Sequence, residues 1–208
     1  AFLNMLGVLG WNDGTEQGLL SLEELTQKFS VDRISKAGAK FDFEKAKWFN
    51  HEWIKRSSSH SLLPQIKEVL AHHQVAAEEG YINRVLEAVK ERLTFVEDFW
   101  AQASFFFVQP IEYDLNAVKP KWSAEKTVFF EHIITSFESF SDWKAAELEA
   151  FFKEAIQNSG MKMGELMMPF RIMLVGGKFG PDVFQIVELL GQGEVIKRVK
   201  KALLAFND

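Results

Sequence analysis

Cysteine is absent from all 208 residues. That excludes disulfides, thiolate zinc sites and cysteine nucleophiles, and it fits a reducing cytoplasm. No apolar run approaches the roughly 20 residues that a membrane-crossing helix needs, so no membrane partner is expected. The opening Ala1-Phe2-Leu3 lacks a methionine and a charged leader segment. It reads neither as a natural start nor as a signal peptide, and the expectation is the C-terminal part of a longer protein. Excess positive charge is also missing: the formal net charge is −5, which argues against a nucleic-acid-binding role, DNA included. Its distribution softens that objection. Gly160 to Asp208 carries seven Lys/Arg against five Asp/Glu, a local balance of +2 that leaves −7 for the rest.

Several motifs that would carry chemistry are imitated without their context. Gly191-Gln192-Gly193-Glu194 looks like a dinucleotide fingerprint, but it follows a helical pattern and lacks the third glycine. Gly177-Lys178 is followed by Phe179, which offers no hydroxyl for magnesium, so it is not a phosphate loop. His72 and His73 have no cysteine or acidic company at ligand spacing and give no metal site. A stand-alone enzyme has no acid–base pair to rest on.

What the chain does contain is apolar residues at helical spacing nearly throughout, with no convincing strand alternation. The reading is all-α. Phe2, Leu3, Leu6 and Leu9 mark a helix ending at Gly10. Ser21 and Glu24 form a capping box for a helix through Phe29. Further helices are expected over Phe43–Ile54, Leu62–His73, Tyr81–Val89 and Thr94–Phe107. Ser123 caps a helix to about Ser136, and Ser141 caps one from Asp142 to Gln157 that Gly160 closes. The last runs from Glu194 to Phe206. Ser57-Ser58-Ser59 is the best linker in the first half, and Pro110 with Pro120 marks a second boundary near Val118. The expected pieces are therefore 1–59, 60–118 and 119–208.

The most informative stretch lies between Lys162 and Gly191. It is almost wholly apolar from Leu166 to Val175 apart from Arg171. An unpaired guanidinium is costly to bury there, so it either meets a carboxylate (Glu165 or Glu188) or reaches a working surface. Gly176-Gly177-Lys178-Phe179-Gly180-Pro181 then makes a turn, and Pro181 suits the first position of a helix that runs to Leu190 and stops at Gly191. The resulting helical hairpin suits a single-stranded, anionic, base-bearing ligand. Trp48 is read as core or as a ligand contact. Phe99-Trp100 and Phe105-Phe106-Phe107 are read as core rather than as base-stacking residues.

Three ordered segments also match a family pattern. Gly164, Leu166, Pro169, Arg171, Leu174 and Gly176 fit G-x-L-x-x-P-x-R-x-x-L-x-G, followed by Gly180-Pro181 and Leu189-Leu190-Gly191. Ser35-Lys36-Ala37-Gly38-Ala39-Lys40-Phe41-Asp42 leads into Glu44-Lys45 and Trp48-Phe49-Asn50. Leu6-Gly7, Leu9-Gly10-Trp11 and Ser21-Leu22-Glu23-Glu24-Leu25 precede both. In this order and spacing the chain resembles the C-terminal part of bacterial-type glutamyl-tRNA synthetases, which are class I aminoacyl-tRNA synthetases.

The resemblance implies the end of a helical stem-contact domain followed by an α-helix cage that binds the anticodon of tRNA(Glu), with a monomeric protein. The intact enzyme would join glutamate to its tRNA with ATP and magnesium. The family's ATP signatures are absent from this chain, so no cofactor is expected within it and catalysis is placed outside it. The resemblance assigns anticodon contacts to Arg171, Gly180, Pro181 and Val183, and reading of the third anticodon base to Arg92. Lys45, Lys47 and Trp48 would meet the inner corner of the tRNA. Relatives often carry a hydroxyl residue where this chain has Gly180, so a side-chain hydrogen bond from that position is lost. The alternative function is a helical protein–protein interaction scaffold.

Overall fold

In the computed structural model, which describes residues 1–15, 18–35 and 40–207, the helical periods of the sequence are realised as helices. Among the described residues there is no strand, only an isolated bridge between Trp11 and Ile34. The all-α expectation holds. The chain divides into two compact units, one of residues 1–76 and 90–99, the other of residues 77–89 and 100–208. The divisions expected after Ser59 and Val118 fall inside the first and second unit respectively.

The first unit starts with α1 (Phe2–Gly10) and α2 (Leu22–Lys28). The Ser21–Glu24 capping box forms in both directions, with Glu24 N–H donating to Ser21 Oγ at 3.1 Å and Ser21 N–H to Glu24 Oε2 at 2.7 Å. Buried Asn4 acts as a piece of backbone: its amide nitrogen donates to Leu20 O, and its Oδ1 accepts from Leu20 N at 2.8 Å. Helix α3 (Phe43–Arg56) begins at Asp42, whose Oδ1 accepts from Glu44 N and Lys45 N. It packs Phe49 against Met5 and Leu19. The three serines do not make a linker. Ser58 caps α4 (Ser59–His72), so α3 and α4 are separated by two residues. Residues 36–39, part of the second family-like segment, lie outside the described residues.

The second unit holds α5 (Glu79–Val89), the greater part of α6 (Asp98–Phe107), α7 (Leu115–Val118), α8 (Ala124–Glu138), α9 (Ala145–Ser159), α10 (Met163–Val175), α11 (Val183–Leu190) and α12 (Gln192–Asn207). Its core is aromatic. Phe152 and Phe170 stack with centroids 4.8 Å apart and rings 16° from parallel, and Phe130 and Phe184 close around Phe170 at 5.9 and 6.3 Å. Phe105 and Phe106 are buried, as expected.

Two helices start three or four residues later than the sequence reading. Helix α6 starts at Asp98 rather than Thr94, because the Asp98 carboxylate accepts from Thr94 N and Phe95 N and holds those residues in a turn. Helix α9 starts at Ala145, beyond Ser141. Its first turn is capped from another helix: Ala145 N–H donates to Glu188 Oε2 at 2.7 Å, and Trp143 Nε1 donates to Val187 O. Gly160 ends α9 in the left-handed region, as its position in the sequence predicts.

Arg198 on α12 is the largest buried polar group, 2 % exposed. Its Nε donates to Glu194 Oε1 and its Nη1 to Leu174 O, each at 2.7 Å. Leu174 O lies in the last turn of α10, where a cation offsets the helix dipole. Gln109 donates to the second oxygen of Glu194 at 3.0 Å. Burial pushes the Glu194 carboxyl up, but the hydrogen bonds from Arg198 and Gln109 outweigh it and hold the group below the usual carboxylate range.

Tyr81 donates its hydroxyl to Phe106 O at 3.0 Å. Burial pushes this phenol up to about 12, against the pull of Arg198 and Arg84. The folded state therefore keeps a proton that the unfolded chain releases near pH 10. The resulting stability is complete below pH 10 and is lost as pH climbs towards 12. Tyr81→Phe is expected to cost about 1 kcal/mol near neutrality, one neutral hydrogen bond, and to flatten the alkaline decline. Urea unfolding at a series of pH values reads both effects. An unchanged alkaline slope would put the loss on Tyr113, the second tyrosine, whose hydroxyl burial also raises.

Candidate functional site

Helix α10 ends at Gly176, which adopts φ +83° and whose place for a Cβ lies 2.7 Å from Glu112 O. Only glycine fits that exit. The chain then runs through residues 177–181 to Asp182, whose Oδ1 accepts from Phe184 N at 2.8 Å and Gln185 N at 3.1 Å and so caps α11. Pro181 is thus not the first helical residue; it precedes the cap.

Arg171 organises this loop. Its Nη1 donates to Pro181 O at 2.6 Å, with Phe179 O at 3.2 Å and Gly180 O at 3.3 Å sharing the same nitrogen. Three consecutive carbonyls converge on one half-buried guanidinium. Of the carboxylates expected to pair with it, Glu188 is instead engaged with Ala145 N and with Lys144 Nζ at 3.5 Å. Arg171 was expected to be an accessible base reader. The geometry gives it a positioning role on the loop, because Nη1 is spent on backbone carbonyls.

The other residues of the hairpin are less accessible than their sequence pattern suggests. Gly180 and Pro181 are buried, and Val183 is 2 % exposed and faces the core. Gly180 adopts φ +100°, with Phe105 Cζ and Ile186 Cδ1 at 3.2 and 3.3 Å from the place of a Cβ. A larger residue there would need both the backbone and Phe105 to shift. The surface of the loop is made instead by Lys178 and Phe179. Lys178 Nζ pairs with Asp114 Oδ2 at 3.2 Å, and the Phe179 ring is 45 % exposed.

In the first unit, a 3-10 turn spans Lys90–Arg92, so Arg92 stands on this turn rather than on a helix. The turn is followed by a segment held by α3: Asn50 Nδ2 donates to Thr94 O, and His51 Nδ1 lies 2.8 Å from Leu93 O. Arg92 is exposed, and two residues beyond buried Leu93 stands exposed Phe95. On α3, Lys45 and Lys47 are exposed, and Lys47 pairs with Glu44 at 2.8 Å, a surface pair worth little in water. Trp48 is 46 % exposed and is therefore not core. Its ring packs over Gly18 and edge-on against Phe49.

The sequence reading missed Phe179 and Phe95, because it set every phenylalanine run against the core. Phe179 had a weak signal, standing in a turn-rich segment beside Lys178, whereas Phe95 had none.

Arg171→Ala should release the three carbonyls and lower stability by about 1.5–3 kcal/mol, the range for hydrogen bonds to a charged group. Amide exchange in residues 178–184 should accelerate. Thermal unfolding together with exchange mass spectrometry measures both, and unchanged exchange in the loop would remove Arg171 from its positioning role.

Comparison with known proteins comes to the same regions. The family model described as "Anticodon binding domain" matches residues 44–203. The glutamate–tRNA ligase of Flavobacterium psychrophilum is 39 % identical over 201 residues, covering 97 % of this chain and 40 % of that protein. That of Porphyromonas gingivalis is 36 % identical over 203 residues, covering 98 % and 40 %. Among solved structures, a glutamate tRNA ligase from Elizabethkingia meningosepticum superposes with a TM-score of 0.92 at 35 % identity, covering 99 % of this chain and 41 % of that one. A glutamate–tRNA synthetase from Elizabethkingia anophelis gives 0.88 at 33 % identity, covering 98 % and 40 %. The chain spans about 40 % of the length of these relatives.

Proposed function

The chain belongs to the anticodon-binding domain family, and we propose that it recognises the anticodon arm of tRNA(Glu) as part of a glutamate–tRNA ligase. The observation that carries this reading is the loop at residues 177–181, clamped by Arg171, within a family match that covers most of the chain. A rigid loop that offers a ring and a cation suits unstacked bases with their phosphates. Lysines 45 and 47 suit sugar-phosphate, and the exposed Trp48 edge suits ribose.

The whole ligase would couple glutamate to the tRNA with ATP and magnesium. The residues present do not fit that nucleotide: Gly177-Lys178 follows a helix, and Phe179 stands where a magnesium-binding hydroxyl is needed. No step through ATP is derived from this chain. Its part is selection, performed as a monomer in the cytoplasm.

Arg92 is assigned to the third anticodon base. Its exposed fork of donors matches a pyrimidine's acceptors and leaves a purine badly paired. A helical protein-interaction scaffold is the second reading. It is favoured by an apolar groove of about 750 Å³ between α8 and α9, lined by Val128, Phe129, Ala155 and Met161.

Salt separates the two readings. Affinity for tRNA(Glu) should fall steeply as salt rises, whereas an apolar protein contact should not weaken. Arg92→Gln should lower tRNA(Glu) binding modestly and shrink the preference over tRNA(Gln), which has guanine at that base. Titrations of both tRNAs at one salt concentration test this, and an unchanged ratio moves the assignment to Lys90. No tRNA binding by the folded chain would sink the anticodon reading itself.

A further inference from the structure

We propose that Phe179 is a base-stacking residue: its exposed ring is a preset platform for one unpaired nucleobase of the anticodon loop. The inference rests on the tRNA reading above and adds to it a contact that neither the family pattern nor the buried Gly180, Pro181 and Val183 provides.

Two neighbours border the ring, and the backbone that carries it is tied down. Beneath it lies Gly177, where the place of a Cβ is 2.8 Å from Phe179 Cε1 and 2.9 Å from Cδ1. The ring therefore occupies space that any side chain at position 177 would take. To one side, buried Phe105 meets it edge-on, with centroids 5.8 Å apart at 65°. Its own carbonyl is one of the three that Arg171 holds. An aromatic side chain that is exposed yet held in one orientation has already lost much of its rotamer entropy, so a base stacking on it pays less to order the contact. Stacking also tolerates any base, because each has a π-face.

The surroundings complete the chemistry. Lys178 precedes the ring, and its ammonium, half exposed, is shared with Asp114 at 3.2 Å. That places a cation beside the ring for the phosphate of the stacked nucleotide. Gly180 cannot contribute a side chain, and its backbone is closed against Phe105 and Ile186. The accessible recognition surface of the loop is thus Phe179 itself.

The test uses the 208-residue chain and a glutamate tRNA anticodon stem-loop carrying 2-aminopurine at each anticodon position in turn. On binding to wild type, fluorescence should be quenched at one position. Phe179→Leu, which keeps an apolar contact to Phe105, should abolish that quench and weaken binding about 5- to 150-fold, the range for one stacked base. Phe179→Trp should retain both, and Gly177→Ala, by lifting the ring, should mimic Leu. Thermal unfolding establishes that each variant is folded. Wild-type affinity in Phe179→Leu, or a quench that survives it, would overturn the stacking role while leaving the tRNA reading intact. Failure of wild type to bind the stem-loop would remove both.

Discussion

The second unit's candidate surface depends on one guanidinium. Arg171 Nη1 takes three consecutive carbonyls, the shortest at 2.6 Å. Carbonyls that would otherwise repel one another are held on the same side of the loop by a single positive charge. Because a trans peptide points its N–H opposite its C=O, the clamp also sets which way the loop's donors face. Gly180 can then take its positive φ, Pro181 and Val183 turn inward, and the outer surface is left to Lys178 and Phe179. Arginine is the residue for this position because its charge persists at any physiological pH and its planar fork reaches several acceptors at once.

A clamp is only as firm as the helix that carries it. Helix α10 is braced at its C-terminal end by Arg198, which donates to Leu174 O and is itself neutralised by Glu194. Along its buried face, Phe170 lies stacked on Phe152. Beyond the loop, Glu188 of α11 caps α9. The C-terminus of α10 and the N-terminus of α9 are thus satisfied by side chains from other helices, and α11 is capped by its own Asp182. Buried polar groups arranged this way favour one packing over its neighbours, since shifting any helix leaves a charge or a carbonyl unpaired.

These tertiary caps explain which parts of the structure were legible in the sequence. Local signals were read correctly: the Ser21–Glu24 box closes within four residues, and Gly160 ends α9 through its own φ. So was the burial of Phe105 and Phe106, whose helical spacing alone places them inside. Ser141 misled because the cap of α9 comes from Glu188, more than 40 residues away. Arg171 was rightly singled out as costly in an apolar run, but the partners of its Nη1 are carbonyls, and backbone acceptors leave no trace in residue identity. Exposure of Phe179 is only faintly marked, for the same reason. Whether a phenylalanine in a turn is buried depends on what packs there, and Gly177 decides it by leaving room for the ring.

Charge cannot carry selectivity here. The balance of +2 from Gly160 onward counts cations that the fold has already engaged. Arg198 is buried against Glu194, Lys200 pairs with Glu138 at 3.1 Å, and Lys201 donates to Pro110 O at 3.3 Å. Lys178 is shared with Asp114, and one guanidinium nitrogen of Arg171 is turned to the backbone. What remains attracts phosphate locally in a chain of net charge −5, and at physiological salt it is screened within about 8 Å, so its share of the affinity falls as salt rises. Selection among RNA ligands of such a surface must therefore come from short-range contacts, stacking and shape, that a wrong or base-paired strand cannot make. Weak long-range attraction is then no defect: it keeps the many other RNAs from competing for a site whose selectivity lies in fixed rings and a fixed loop.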